Sequence, residues 1–359
     1  MTARITLASW RASDTNTRNT PNTPDRSVRQ GSWRVARGVA ALGLTVGLVA
    51  CGSDSSDDSA DSASDSSTDA AGTTAESTDG TSVATEFSGT LRIGAIPDQD
   101  PDVLQRQFGL VSDHLTDELG VEVEYVPVTD YQGAVSGFAV GDLDLVWFGG
   151  LTGVQARLEV EGAEAVVQRD IDAEFTSVFI AGADVGIEPF DDVDGLSAVA
   201  DHSFTFGSES STSGRLMPQY FLTEAGVDVE SDLTGEPGFS GSHDATIELV
   251  TAGTYEIGAL NSQVWDSRVA EGAVDTDEVV EIFRTPPYYD YHWVAQADLD
   301  EQFGEGFTDA VVAAFAGLDI ADADDAEILD LFGAGAFIPT ENTNYIAIEG
   351  VARDIGAIR

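Results

Sequence analysis

From residue 87 onward the apolar positions switch between two periods, alternation and recurrence every three or four residues, which predicts strands alternating with helices. Residues 90–96 read as a strand. Asp100 and Pro101 then supply an N-cap and a first-turn proline, and Leu104, Phe108, Val111, Leu115 and Leu119 recur at helical spacing up to Gly120. Residues 121–128 are a strand, and Asp130 caps a helix that runs through Ala139 to Gly141. A buried strand over 143–148 meets Gly149 and Gly150. A helix at 152–160 and strands at 165–168 and 175–180 follow. Units of this length predict an α/β protein with a largely parallel sheet.

The middle third repeats the grammar. A strand at 203–206 leads into a hydroxyl-rich loop, then Leu216, Met217, Tyr220, Phe221 and Leu222 return at helical spacing. Ser242 opens another helix, followed by a strand at 256–260, a helix at 265–270 and a strand at 279–283. Residues 291–295 read as extended, 300–318 as one long helix, 327–332 as a short acidic helix and 346–355 as a final helix. Two lobes joined by extended crossings at 177–181 and 291–295 would explain why one grammar appears twice. Periodicity alone does not fix that topology.

The first 86 residues are different. Residues 1–50 carry seven Arg against two Asp and end in an apolar run over 39–50. A mature spanning helix needs about 20 apolar residues, so a secretion signal is the better reading. Leu48, Val49, Ala50 and Cys51 match the bacterial lipobox, which makes Cys51 a lipidation site and the first residue of the mature chain. Residues 52–86 are Ser, Asp, Thr, Ala and Gly with almost nothing to bury, and read as a self-repelling tether. Cys51 is the only cysteine, so no disulfide framework is expected.

The formal charge is −48, and all 16 basic residues are Arg. Removing residues 1–50 leaves 62 acidic residues against nine Arg. Nucleic acid is excluded as a partner, since phosphate backbones need a basic footprint. The balance suits a salty milieu, where self-repulsion is screened.

Against that background the loop from Gly207 to Gly214 stands out. Ser210, Ser211, Thr212 and Ser213 fall between a strand and a helix start, where unpaired N–H groups and the dipole favour an anion. The plain alternative is an ordinary Ser/Thr-rich cap. Two further helix starts, at Tyr131 and His243, also follow a Ser or Asp. Neutral donors at such termini can hold a dianion without a basic clamp.

Several pieces, in order and spacing, resemble the substrate-binding lipoproteins of ABC importers for phosphate, phosphite and phosphonate. They are Val128 to Tyr131, Asp144 to Gly150, Ser210 to Gly214 with Pro218, and Gly241 to Thr246. Ala259 to Ser262, Thr285 to Tyr291 and Phe337 to Thr340 complete the set. Residues 95–98, 154–157 and 285–291 look most like a branch labelled selenate-binding. The resemblance implies a two-lobe periplasmic-binding-protein fold of type II with two crossover strands. Lobe 1 would be residues 87–180 and 291–359 and lobe 2 residues 181–290, after a signal at 1–50 and a tether at 51–86.

By the same resemblance Ser211, Thr212 and Ser213 hold anion oxygens, with His243 beside them. Tyr131 reaches in from lobe 1, Trp147 or Phe148 forms part of the wall, and Asp290 faces the ligand. Gln263 stands where aminoalkylphosphonate binders carry a Glu, so that substrate loses its charged partner. The implied partners are a small oxyanion, a permease with its ATPase, and the membrane through the lipid on Cys51, with the protein a monomer. No cofactor, metal or catalytic residue is expected: there is no Gly-x-Ser-x-Gly elbow and no paired His/Cys spacing. The competing classes are a lipoprotein that senses ligand for a membrane kinase, and an anchored phosphoesterase with Ser211 or Thr212 as nucleophile and His243 as base.

Overall fold

A computed structural model describes residues 87–359; the signal, Cys51 and the tether lie outside the described residues. Eleven strands are present: β1 (Thr90–Ala95), β2 (Glu122–Tyr125), β3 (Leu145–Phe148), β4 (Glu164–Arg169), β5 (Ser177–Gly182), β6 (Phe204–Phe206), β7 (Gly238–Phe239), β8 (Ile257–Asn261), β9 (Val279–Arg284), β10 (His292–Ala295) and β11 (Phe337–Pro339). They form two sheets, in the orders β11-β4-β10-β3-β1-β2 and β7-β6-β8-β5-β9.

The helices are α1 (Pro101–Leu119), α2 (Tyr131–Ala139), α3 (Gly150–Glu159), α4 (Met217–Glu224), α5 (His243–Thr251), α6 (Ser262–Ala270), α7 (Leu299–Phe303), α8 (Phe307–Ala316), α9 (Ala323–Phe332) and α10 (Ile346–Ile355). Local chemistry sets their ends. Asp100 accepts the Asp102 N–H at the start of α1, and Gly120, at φ 68°, closes it. Leu104, Phe108, Val111, Leu115 and Leu119 face the first sheet and are buried. There they join an aromatic core of Trp293, Phe315, Phe332 and Phe337. The second lobe adds a core of Val178, Ile180, Leu260 and Trp265 between β5, β8, α5 and α6.

Three expectations change. The crossings expected at 177–181 and 291–295 are strands that already lie inside a lobe: β5 in the second sheet and β10 in the first. The chain passes between lobes at 170–176 and 285–291, and these two segments pair with each other, with Phe175 and Tyr288 exchanging backbone hydrogen bonds at 2.9 Å. So residues 177–180 belong to lobe 2. The sheets are mixed rather than largely parallel, because β5 and β10 enter their sheets from the other lobe and run antiparallel to both neighbours. The long helix expected over 300–318 is two helices. Gly304 at φ 131° and Gly306 at φ 84° break it, conformations that L-residues with a Cβ rarely adopt.

Candidate ligand-binding site

The lobes meet at the N-terminus of α3, the turn at Ser211–Gly214 and the second crossing. α3 starts at Gly150, two residues before the expected start, so its first N–H groups point across the lobe junction. Gly150 N–H donates to Asp290 Oδ1 at 2.9 Å, and Leu151 N–H donates to Thr212 Oγ1 at 2.9 Å. The approach is close: a Cβ on Gly149 would sit 3.1 Å from Thr212 Oγ1 and 3.2 Å from Asp290 Oδ1. At Gly153 a Cβ would lie 2.4 Å from the His292 ring, so only glycine lets α3 settle this deeply on β10.

The turn itself is one turn of π-helix, Thr212–Leu216, capped by Ser211 Oγ, which accepts the Gly214 N–H at 2.9 Å. π-turns recur at functional sites. Capping uses acceptor capacity on Ser211 and Thr212, while their hydroxyl protons lie toward Tyr131 and Asp290. Ser177 Oγ, itself in contact with Tyr288 Oη at 2.6 Å, donates to the Ser213 carbonyl at 2.7 Å and pins the turn.

Three polar atoms around this junction lack a well-formed hydrogen bond among the described residues: Tyr131 Oη, Ser213 Oγ and Asp290 Oδ2, although the Tyr131 hydroxyl lies near Ser211 and Ser213 near the Tyr288 hydroxyl. Their residues are 2%, 1% and 0% exposed, and a buried polar group left unpaired is costly. Burial pushes the Asp290 carboxyl up to about 7, against the opposing Gly150 N–H bond. Burial also raises the Tyr131 phenol well above its usual range, with the charges of Asp98 and Asp290 adding to the rise. So hydroxyl donors and one carboxyl that carries a proton near neutral pH are buried together at the lobe junction, the candidate anion cup.

His243 is beside the turn, its Cε1 3.2 Å from where a Gly214 Cβ would be. Both ring nitrogens are engaged. Nδ1 accepts the Asn261 N–H at 3.4 Å and Nε2 meets Tyr291 Oη at 3.3 Å. Burial lowers its pKa to about 4, so the ring is neutral. Its backbone N–H goes to the Asp98 carbonyl at 3.0 Å, so the third helix start is spent on lobe 1 rather than on the cup. Asp98 also accepts from Tyr291 Oη at 2.8 Å, and Asp100 N–H donates to Asp244 at 3.0 Å. These bonds clasp the β1–α1 loop onto α5.

Trp147 and Gln263 lie elsewhere. Trp147 stacks on Tyr291 with ring centroids 5.6 Å apart. Together with Gln263, Arg169 and Asp98 it lines a cleft of about 240 Å³ between the lobes. Gln263 accepts from Arg169 and donates to the Phe332 carbonyl at 2.6 Å, tying α6 to lobe 1. Phe148 is fully buried and packs edge-on against Phe138, in the core rather than on a wall. The N-terminus of α3 and the Asp98 clasp were not among the expected site residues, although Gly149, Gly150 and Asp98 fall within the matched motifs.

A family model described as ABC transporter, phosphonate, periplasmic substrate-binding protein matches residues 93–345. A probable ABC transporter phosphite binding protein, PhnD1 of Prochlorococcus marinus, is 48% identical over 269 residues, which is 75% of this chain and 91% of the relative. A phosphate-import protein, PhnD of Mycolicibacterium smegmatis, is 28% identical over 57% of this chain and 65% of its own length. The solved structure of Prochlorococcus PhnD1 in complex with methylphosphonate superposes with a TM-score of 0.73 at 48% identity, over 75% of this chain and 99% of that one. The two-lobe fold and these likenesses agree: the chain belongs to the phosphonate family of periplasmic, and hence extracytoplasmic, substrate-binding proteins of ABC importers.

Proposed function

We propose that this protein captures a small tetrahedral phosphorus oxyanion that carries a proton near neutral pH, phosphite or methylphosphonate first and phosphate next, and hands it to an ABC permease and its ATPase. The observation that carries this reading is the buried trio without partners, Tyr131 Oη, Ser213 Oγ and Asp290 Oδ2. Two donors and a carboxyl match an anion that offers several oxygens and one O–H. The phosphite-binding and methylphosphonate-bound relatives support the same chemical class.

Where Asp290 is ionised, above about pH 7, it argues against selenate as the cognate ligand. Selenate and sulfate are fully ionised at neutral pH and bring no proton, so an ionised Asp290 would face a dianion unpaired. An amine-bearing phosphonate is disfavoured too, because Gln263 is neutral and spent on Arg169 and Phe332. An esterase role lacks support, since both nitrogens of His243 are engaged by Asn261 and Tyr291, and burial makes the ring a weak base. We further propose that the protein works as a monomer, held outside the membrane by a lipid on Cys51. Calorimetric titration with phosphite, methylphosphonate, phosphate, sulfate and selenate tests the ligand class. The first three should bind and the last two should bind at least tenfold more weakly, about 1.4 kcal/mol. Selenate binding more tightly than phosphite and methylphosphonate would overturn the proposal.

A further inference from the structure

A cup with one carboxyl in its wall and two more buried nearby, in a chain this acidic, should repel the anion it holds. Asp98, Asp172 and Asp290 are all buried at the lobe junction. Arg169 is committed to Asp172, through two guanidinium bonds at 2.8 and 2.7 Å. Its charge also reaches Asp98 and Asp290, so one cation faces three carboxyls before any ligand charge is added.

The pairing of the arginines shows where compensation comes from. Nine Arg lie beyond residue 50, all within the described residues. Six of them, Arg92, Arg106, Arg169, Arg268, Arg284 and Arg353, form ion pairs with carboxylates. Apart from the terminal Arg359, the two without an ion pair among the described residues are Arg157 and Arg215. With 62 acidic residues in the chain beyond residue 50, an unpaired arginine is unexpected, and both are half-buried. Each also stands on an element that begins at the cup: Arg157 on α3 and Arg215 on the π-turn.

Arg157 is turned back toward the start of α3, its Nε donating to the Gly153 carbonyl at 3.1 Å. Its guanidinium lies 5.2 Å over the Tyr345 ring, which stacks on His292 at 3.7 Å. The His292 ring contacts the Asp290 carbonyl through Nδ1 at 3.0 Å, completing a packed path to the cup. Its Nη2 has no partner. Arg215 follows Ser213 by two residues, so the chain keeps its charge within roughly 15 Å of the cup. Its Nε is buried and partnerless too.

We propose that Arg157 and Arg215 are remote cations that make this cup accept an anion, without touching the ligand. They are positioning residues for charge, and the proposal rests on the oxyanion reading above. A unit charge roughly 10–15 Å away, at an effective dielectric constant of about 20, changes anion affinity by several-fold to about tenfold.

The test is calorimetric titration of methylphosphonate and phosphite into Arg157→Gln, Arg215→Gln, the double variant and the two Arg→Lys variants. Arg106→Gln, exposed and paired with Glu327 on α1 and α9, serves as the control. The Gln variants should each lose several-fold to about tenfold in affinity, with the losses multiplying in the double variant. Lysine should recover most of it, because charge rather than the guanidinium fork is what acts. The control should match the parent. Ligand-free melting is read alongside, since Arg157 also holds backbone carbonyls; if Arg157→Gln unfolds, the Arg215 pair of variants decides. Folded Gln variants that bind within about twofold of the parent, or losses that lysine does not recover, would overturn the proposal. A parent that binds neither anion would instead sink the oxyanion reading.

Discussion

The backbone N–H of Gly150 reaches Asp290 Oδ1 at 2.9 Å, and the other carboxylate oxygen of Asp290 is left buried and unpaired. One oxygen is thus fixed by the start of α3, and the second is available to a ligand O–H. Asp290→Asn should weaken phosphite and methylphosphonate by roughly tenfold to a hundredfold, the value of a charge-assisted hydrogen bond. Sulfate and selenate should hold or tighten. Titrating all four into the variant checks both halves, and a uniform loss across the four would show that Asp290 is structural.

The same carboxyl sets a pH dependence. With its pKa raised to about 7 by burial, Asp290 carries a proton below that pH and loses it above. A protonatable anion and Asp290 between them need at least one proton in the complex. Affinity should therefore fall as pH rises past about 7, approaching tenfold per unit once both partners are ionised. Asp172, Arg169 and Thr212 face the carboxyl and do not change that sign. Affinity measured from about pH 6 to pH 9 should show the fall in the parent and a flatter profile in Asp290→Asn. Equal slopes would assign the proton elsewhere.

The hydroxyl turn makes a separate prediction. Thr212→Ala removes the acceptor of the Leu151 N–H as well as a donor to the anion, whereas Ser213→Ala removes only an unpaired hydroxyl. Ser213→Ala should cost about tenfold in affinity while leaving ligand-free melting unchanged or slightly higher. Thr212→Ala should cost as much and also lower the melting temperature. Unchanged affinity in both would return the turn to an ordinary cap.

The Asp98 clasp lies outside the proposed trio, yet it joins the lobes through His243 N–H, Tyr291 Oη and the neighbouring Asp100–Asp244 bond. Asp98→Ala and Tyr291→Phe should raise the off-rate by about tenfold with little change in on-rate. The preference for phosphite over sulfate should persist. A change of preference in stopped-flow measurements would place Asp98 at the ligand instead.

Strand and helix periods located nearly every element, because the apolar positions follow core-facing stripes. What they missed was tertiary. The antiparallel pairing of β5 and β10 follows from chain direction after a crossing, which no local pattern records. α3 begins at Gly150 because Asp290, 140 residues away, takes that N–H. His243 and Gln263 have polar side chains in the right neighbourhood, and only their partners, Asn261, Tyr291, Arg169 and Phe332, reveal that both are already engaged. Thr212, Ser213, Tyr131 and Asp290, by contrast, follow from loop chemistry and motif, and all four are buried at the lobe junction.

Cys51 lies outside the described residues, and its proposed lipidation rests on the lipobox alone. One acyl chain anchors only marginally, so at least two are expected. Cys51→Ala should move the protein from washed membranes to the soluble fraction. Retention on the membrane without detergent would contradict lipidation.

The most direct measurement is a crystal structure with methylphosphonate or phosphite bound. One anion oxygen should sit within hydrogen-bond distance of Asp290 Oδ2, with Ser213 Oγ and Tyr131 Oη on the others, so that each buried atom gains its partner. An anion lodged instead in the cleft between Trp147 and Gln263, with the trio still unpaired, would contradict the proposed site.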